Sequence, residues 1–244
     1  MANARQTSTS GTTSAPDARQ QSFYQFLKGE ILAGAYAPGQ SLVEGNLVEL
    51  YGISRTPVRE ALQRLEQDGI VERGFRSAYQ IKARSDQELL DLYDVWVALE
   101  ELAGHTAASA ASRINIAQLK GIHAAMEQCD RSDTESLEAL DFSFHIAFAE
   151  ATHNDALIEA LDRIYNQIRA TGDERGATTT PQRWADILTE HGELLTAIEA
   201  GDPEASARIS REHMDRARSL RIALSSRGRP EVRGPRRLAA QRPR

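Results

Sequence analysis

The sequence predicts a mainly α-helical protein in two bodies: a small head of three helices closed by a β-hairpin, and a larger antiparallel bundle of helices alone. Three observations predict it. Apolar residues recur at helical spacing through most of the 244 residues. Gly- and Pro-rich turns punctuate the first third, whereas polar breaks separate long helical runs after residue 85. The net charge of −6 divides at the same place. Residues 85–226 hold 12 basic and 26 acidic side chains and carry −14, residues 227–244 hold seven Arg against Glu231 and carry +6, and 1–19 and 20–84 carry +1 each.

The ends come first. Residues 1–19 are rich in Ser, Thr, Ala and Gln with no apolar period, and are expected to be a disordered tail. Residues 227–244 mix Arg, Pro and Gly and are expected to be a basic disordered tail, able to touch phosphates. No apolar run approaches the ~18 residues of a membrane span, and the N-terminus lacks the apolar core of a signal peptide. The lone cysteine, Cys129, rules out a disulfide framework and fits a reducing compartment, so a cytoplasmic, nucleoid-associated protein is expected.

In the head, residues 20–84, Phe23, Phe26, Leu27 and Ile31 form a helical stripe that Gly34 ends. A second short helix over 44–51 turns Leu47 and Leu50 inward, and Gly52 breaks it. Ser54 can cap a third helix, with Pro57 in its first turn, Val58, Ala61, Leu62 and Leu65 buried, and Gly69 just past its end. Residues 70–72 and 78–81 read as two strands around a turn at Gly74–Ser77. Helix, helix, turn, helix, hairpin is the order of a winged helix-turn-helix, whose third helix enters the DNA major groove. On that helix Arg55, Arg59 and Gln63 lie opposite the buried stripe. Arg55 and Thr56 sit at its N-terminus, where free N–H groups favour a phosphate.

The bundle, residues 85–226, is predicted as six helices near 86–111, 115–130, 133–152, 154–171, 181–200 and 203–225. Asp141 and His145 stand at i, i+4 on the border of one buried stripe. His191 falls on the stripe of Ile187, Leu194 and Ile198, and His213 on that of Ile209 and Ala217. The turn Gly201-Asp202-Pro203 pairs those two helices. His191 lies ten residues before Gly201 and His213 ten after Pro203, so each rises ~15 Å from the turn and they can face each other. Three histidines and a carboxylate suit a divalent transition metal with open positions. Core histidines bonded to neighbours satisfy the same spacing. His105, His123 and His153 have no partner at ligand spacing.

The string SRTPVREALQRLEQDGIVER, with its flanks, resembles the DNA-binding domain of the GntR family of bacterial transcription regulators. That resemblance implies DNA contacts by Arg55, Thr56 and Arg59 and a homodimer on a palindromic operator; Ser54 and Gln63 on the same helix, and Arg76 as a substitute in the wing, are further candidate contacts. Two departures stand out. Gly45 follows Glu44 where the family often carries a DNA-contacting Arg, and the wing turn reads Gly74-Phe75-Arg76-Ser77 without the usual glycine at its tip. The segments LDFSFHIAFAEATHNDAL and EHGELLTAIEAGDPEASARISREHM resemble the FCD domain of the FadR subfamily, with six helices as in its VanR-type group. This implies a metal held by Asp141, His145, His191 and His213 (zinc first, with nickel or manganese as alternatives) and a small-molecule effector, a carboxylate or another metal-binding metabolite. Trp96 stands where such domains usually carry an effector-binding Arg, and is expected to wall the pocket or fill the core. The implied function is a ligand-responsive transcription regulator, repressor or activator, rather than an enzyme. A constitutive repressor with a purely structural metal is the alternative. A metal hydrolase is disfavoured, since the site spends its carboxylate as a ligand and no HExxH motif is present.

Overall fold

The computed structural model describes residues 15–74, 78–172 and 180–225. In chain order the elements are α1 (Ala15–Leu32), β1 (Ser41–Leu42), α2 (Glu44–Tyr51), α3 (Arg55–Gln67), β2 (Val71–Arg73), β3 (Tyr79–Ile81), α4 (Asp86–Ala110), α5 (Arg113–Gln128), α6 (Thr134–Glu150), α7 (Asp155–Arg169), α8 (Pro181–Ala200) and α9 (Pro203–Ser225). Mainly helical, with one small antiparallel sheet, this is the architecture expected from the periodicity.

α1 reaches back to Ala15, inside the stretch expected to be an N-terminal tail. Pro16 falls in its first turn, where a missing N–H breaks no helical bond. Its buried stripe is Phe23, Tyr24, Leu27 and Ile31, while Phe26 is half exposed. α2 corrects a second expectation: Leu47 is buried, but Leu50 is exposed. Tyr51, one turn beyond Leu47, takes the inner position instead, packing edge-on to Phe23 and Phe26 and bonding its hydroxyl to that of Tyr36 at 2.7 Å. Ser54 occupies the N-cap of α3 in extended conformation, yet its hydroxyl makes no capping bond. Gly69 ends α3 as expected, at φ 73°, with its N–H on Glu66 and that of Ile70 on Leu65.

The sheet runs β1-β3-β2, antiparallel throughout, with Leu42 opposite Tyr79 and Val71 opposite Ile81. The wing strands were expected; β1 was not, because two residues carry no alternation to read. Val58, Leu62 and Leu65 of α3, with Leu27, Ile31, Ile70 and Ile81, form the head's core.

The bundle's six described helices start where polar residues cap them. Ser85 with Glu88 and Ser112 with Asn115 make reciprocal capping boxes. Asn154 and Thr180 accept from the third residue on. A separate apolar core, centred on Phe144, Phe148, Leu119 and Trp184, fills the bundle. α4 and α9 cross closely: a Cβ on Gly104 would stand 2.7 Å from the Ser206 carbonyl oxygen. Ser210 Oγ donates to the Glu100 carbonyl, and Arg211–Glu101, Arg218–Asp94 and Arg221–Asp86 ion pairs flank the crossing.

Head and bundle meet at α7. Arg163 donates to the Gln67 carbonyl at 2.6 Å, and Gln167 Nε2 to the Asp68 carbonyl at 2.8 Å. Arg84, in the connection to α4, reaches the Gly69 carbonyl at 3.0 Å and Gln167 Oε1 at 2.6 Å. Lys28 pairs with Asp162, and Ala170 packs into the head's core. Side chains of the bundle thus supply donors to the carbonyl end of α3, which no intrahelical N–H can satisfy.

Candidate functional site

Two sites emerge, one on each body. In the head, burial of Val58, Ala61, Leu62 and Leu65 rotates the other face of α3 outward, and Ser54, Arg55, Thr56, Arg59 and Gln63 are all exposed. Arg59 forks onto Glu44 of α2, Nε to Oε1 and Nη2 to Oε2, both at 3.3 Å. This aims the guanidinium across the outer face. Arg76 lies outside the described residues.

In the bundle, α6, α8 and α9 bring His145, His191 and His213 together, with one ligand nitrogen of each within 4.8 Å of the others. The rings of His191 and His213 are 5.0 Å apart, so the two helices meet at matching height as the turn arithmetic predicts. His145 Nδ1 lies 3.0 Å from Glu100 Oε1, which also accepts from Trp96 Nε1. His213 Nδ1 lies 2.5 Å from Glu190 Oε2, and Arg183 and Arg216 hold Glu190 Oε1. A carboxylate on Nδ1 fixes the ring and makes Nε2 the more basic nitrogen, the arrangement found behind metal-ligating histidines.

His191 differs. It is 1% exposed, stacks on Phe144 at 3.9 Å, and neither ring nitrogen has a hydrogen-bond partner. Asp141 Oδ1 is also buried without a partner, 3.7 Å from His191 Nε2, too far for a hydrogen bond. Burial, together with the neighbouring His213 and His145, holds the His191 pKa well below its ordinary value, so the ring is neutral. Burial works to raise the Glu190 carboxyl, but the His213 bond and charge and the Arg183 bond outweigh it and lower its pKa to about 2. Neutral imidazole, orphaned donor atoms and a carboxylate at the edge fit a divalent transition metal by their chemistry.

A cavity of about 70 Å³ opens beside the cluster. Asp141, His145 and His213 line it, together with Arg169, Arg183 and Trp96. Arg183 is 7% exposed, and its Nε is buried without a partner. Trp96 both walls the cavity and packs in the core, edge-on to Tyr165.

Comparison with known proteins now decides the family. The FCD domain pattern matches residues 91–216, and that of the bacterial regulatory proteins of the gntR family matches residues 19–81. The chain is a GntR-family transcription regulator of the FCD-bearing FadR subfamily. It is 28% identical over 192 residues to the HTH-type transcriptional regulator YdhC of Bacillus subtilis, covering 75% of this chain and 82% of that one. It is 24% identical to the transcriptional repressor GlaR of Escherichia coli, over 78% of this chain and 90% of GlaR. The solved structure of E. coli McbR/YncC shares the fold, with a TM-score of 0.74 over 84% of this chain and 98% of that one, at 22% identity. The relatives are transcription regulators, not enzymes.

Within this GntR/FCD chain, the residues that sequence reasoning missed are the carboxylates behind the histidines. Glu100 is 2% exposed and Glu190 5%, although acidic side chains on amphipathic helices usually read as solvated. The signal was adjacency: Glu100 follows Trp96 by one turn, and Glu190 precedes His191. The arginines of the cavity were missed as well. Arg183 comes from α8 and Arg169 from the last turn of α7, neither from the α4 position that Trp96 occupies.

Proposed function

We propose that this protein is a repressor that binds a palindromic operator as a homodimer and senses a small metal-binding carboxylate in its helical domain. The domains divide as a head over 20–84 and an effector domain over 85–226. Ser54, Arg55, Thr56, Arg59 and Gln63 read the operator, with arginines on guanine edges and the α3 N-terminus on a phosphate. Asp141, His145, His191 and His213 hold the ion, zinc before nickel or manganese, which supplies a Lewis-acidic anchor for one end of the effector. Arg183 and Arg169 take the carboxylate, so the positive charge absent at Trp96 enters from α7 and α8 instead.

The observation that carries this reading is the coincidence of unpartnered buried polar atoms in the wall of one cavity, Asp141 Oδ1 on one side and Arg183 Nε on the other, with the orphaned His191 ring 3.7 Å from Asp141. The buried Arg183 Nε–H without an acceptor, in the wall of the cavity, favours a cavity that takes a ligand over a purely structural ion. Elemental analysis of untagged protein tests the metal: about one ion per chain is expected, lost in His191→Ala. Titration of the metal-loaded protein with citrate and lactate, read by operator release in a gel-shift assay, tests the sensing. Operator affinity unmoved by any carboxylate that binds the cavity would refute it.

A further inference from the structure

Arg59 of α3 meets Glu44 of α2 side-on, Nε donating to Oε1 and Nη2 to Oε2, both at 3.3 Å. Both side chains spring from helices anchored in the head's core. Glu44 lies one turn before Leu47, and Arg59 is flanked by Val58 and Leu62. Arg55, on the same outer face, has no such carboxylate among the described residues.

A guanidinium offers its five N–H groups in one plane. The side-on fork spends the Nε edge and leaves the end edge, one N–H from Nη1 and one from Nη2. Nη1 makes no bond among the described residues, and the Arg59 side chain is 60% exposed. Two parallel N–H groups are what guanine O6 and N7 accept together. The competing target of an exposed arginine is a phosphate, which carries no sequence information. A carboxylate beside the guanidinium opposes that target twice: it holds the plane, and its charge repels phosphate oxygens. Gly45 follows Glu44, and a Cβ there would meet nothing within 4 Å. So α2 places no side chain at that position to compete for the base.

We propose that Glu44 is a positioning residue for base reading, which sets the Arg59 guanidinium for one guanine in each half-site and withholds it from phosphates. α2 then contributes to sequence recognition through Arg59 rather than by its own contact with a base. The role rests on the reading of α3 as the helix that contacts the operator.

Site selection from a library of randomised duplexes tests this, with the full chain, Arg59→Ala and Glu44→Gln compared. The parent is expected to enrich a half-site containing a guanine that Arg59→Ala relaxes. Glu44→Gln, nearly unchanged in shape, is expected to relax that same base and no other. Fluorescence anisotropy should show its discrimination of guanine from adenine there falling about tenfold. On a fixed duplex without the half-site, Glu44→Gln should bind more tightly than the parent, with a salt dependence steeper by about one ion per head. Its melting temperature is expected to stay within a few degrees. A carboxylate that only braces the head would instead weaken every sequence together. Glu44→Gln that keeps the guanine, relaxes all bases equally, or tightens binding with no loss of discrimination would overturn the positioning role while leaving Arg59 as a reader. Arg59→Ala without effect on any base would overturn the reading of Arg59 and this proposal with it.

Discussion

Arg59 is bound to Glu44 before any DNA arrives, and both are substantially exposed. Such an exposed, solvent-screened pair contributes little to folding. Its loss should therefore appear in binding and not in stability. Arg59→Ala is expected to weaken operator affinity about tenfold to a hundredfold, the worth of one bidentate base contact, with the melting temperature unchanged; fluorescence anisotropy beside thermal denaturation checks both. Glu190 is the contrasting residue, since its charge acts inside the fold. A carboxyl whose pKa is lowered from 4.5 to about 2 in the folded state contributes stability above pH 4.5 and loses it as the pH falls toward 2. Metal-free Glu190→Gln should accordingly show a smaller drop in melting temperature between pH 6 and pH 3 than the metal-free parent. An equal drop would mean that the Glu190–His213–Arg183 network does not set acid stability.

At the scale of elements, α7 and the end of α3 are fitted to each other. Gly69 has φ 73°, and a Cβ there would lie 2.7 Å from Gln167 Nε2. Gly69→Ala combines backbone strain of about 1–3 kcal/mol with displacement of the side chain that caps Asp68. Gln167→Ala leaves the backbone unstrained and removes two bonds, that to the Asp68 carbonyl and that from Arg84, about 1 kcal/mol each. Urea denaturation should rank the two in that order, and equal losses would show that the left-handed backbone carries no cost. Elements also mark where the sequence could be read. The bundle helices were legible to within about two residues because their apolar stripes are long and Ser85, Ser112 and Asn154 cap them. β1 was illegible because pairing with β3 alone makes it a strand. The His191–His213 juxtaposition was readable because one tight turn fixes two helices. The Glu100–His145 bond and the α7–α3 contacts were not, since each joins residues more than 40 apart that no local pattern specifies.

For the whole molecule, an ion held by His145, His191 and His213 would join α6, α8 and α9. At a free concentration a hundredfold above its Kd, the ion adds about 2.7 kcal/mol, or about 5–10 °C for a protein of this size. Thermal scans with and without a chelator should show that difference, and His191→Ala should abolish it. Head and bundle are coupled through Arg84, which is 6% exposed and bonds both Gly69 and Gln167. Arg84→Met keeps the stem while deleting both bonds. It is expected to leave ligand binding in the bundle intact while reducing the change in operator affinity that the ligand causes, as measured by paired calorimetry and anisotropy. An unaltered response would place the coupling elsewhere.

The crossing at Gly104 gives the cavity an anvil and a jaw. α4 and α9 pack backbone to backbone at Gly104 and Ser206, with three ion pairs along the crossing, and together carry Trp96 and His213 on one wall. A ligand seated against it would press on the facing wall, and the part of that wall contributed by α7, through Tyr165 and Arg169, belongs to the same helix as Arg163 and Gln167. Any shift of α7 at the cavity would reach the carbonyl end of α3 through Arg163 on Gln67 and Gln167 on Asp68.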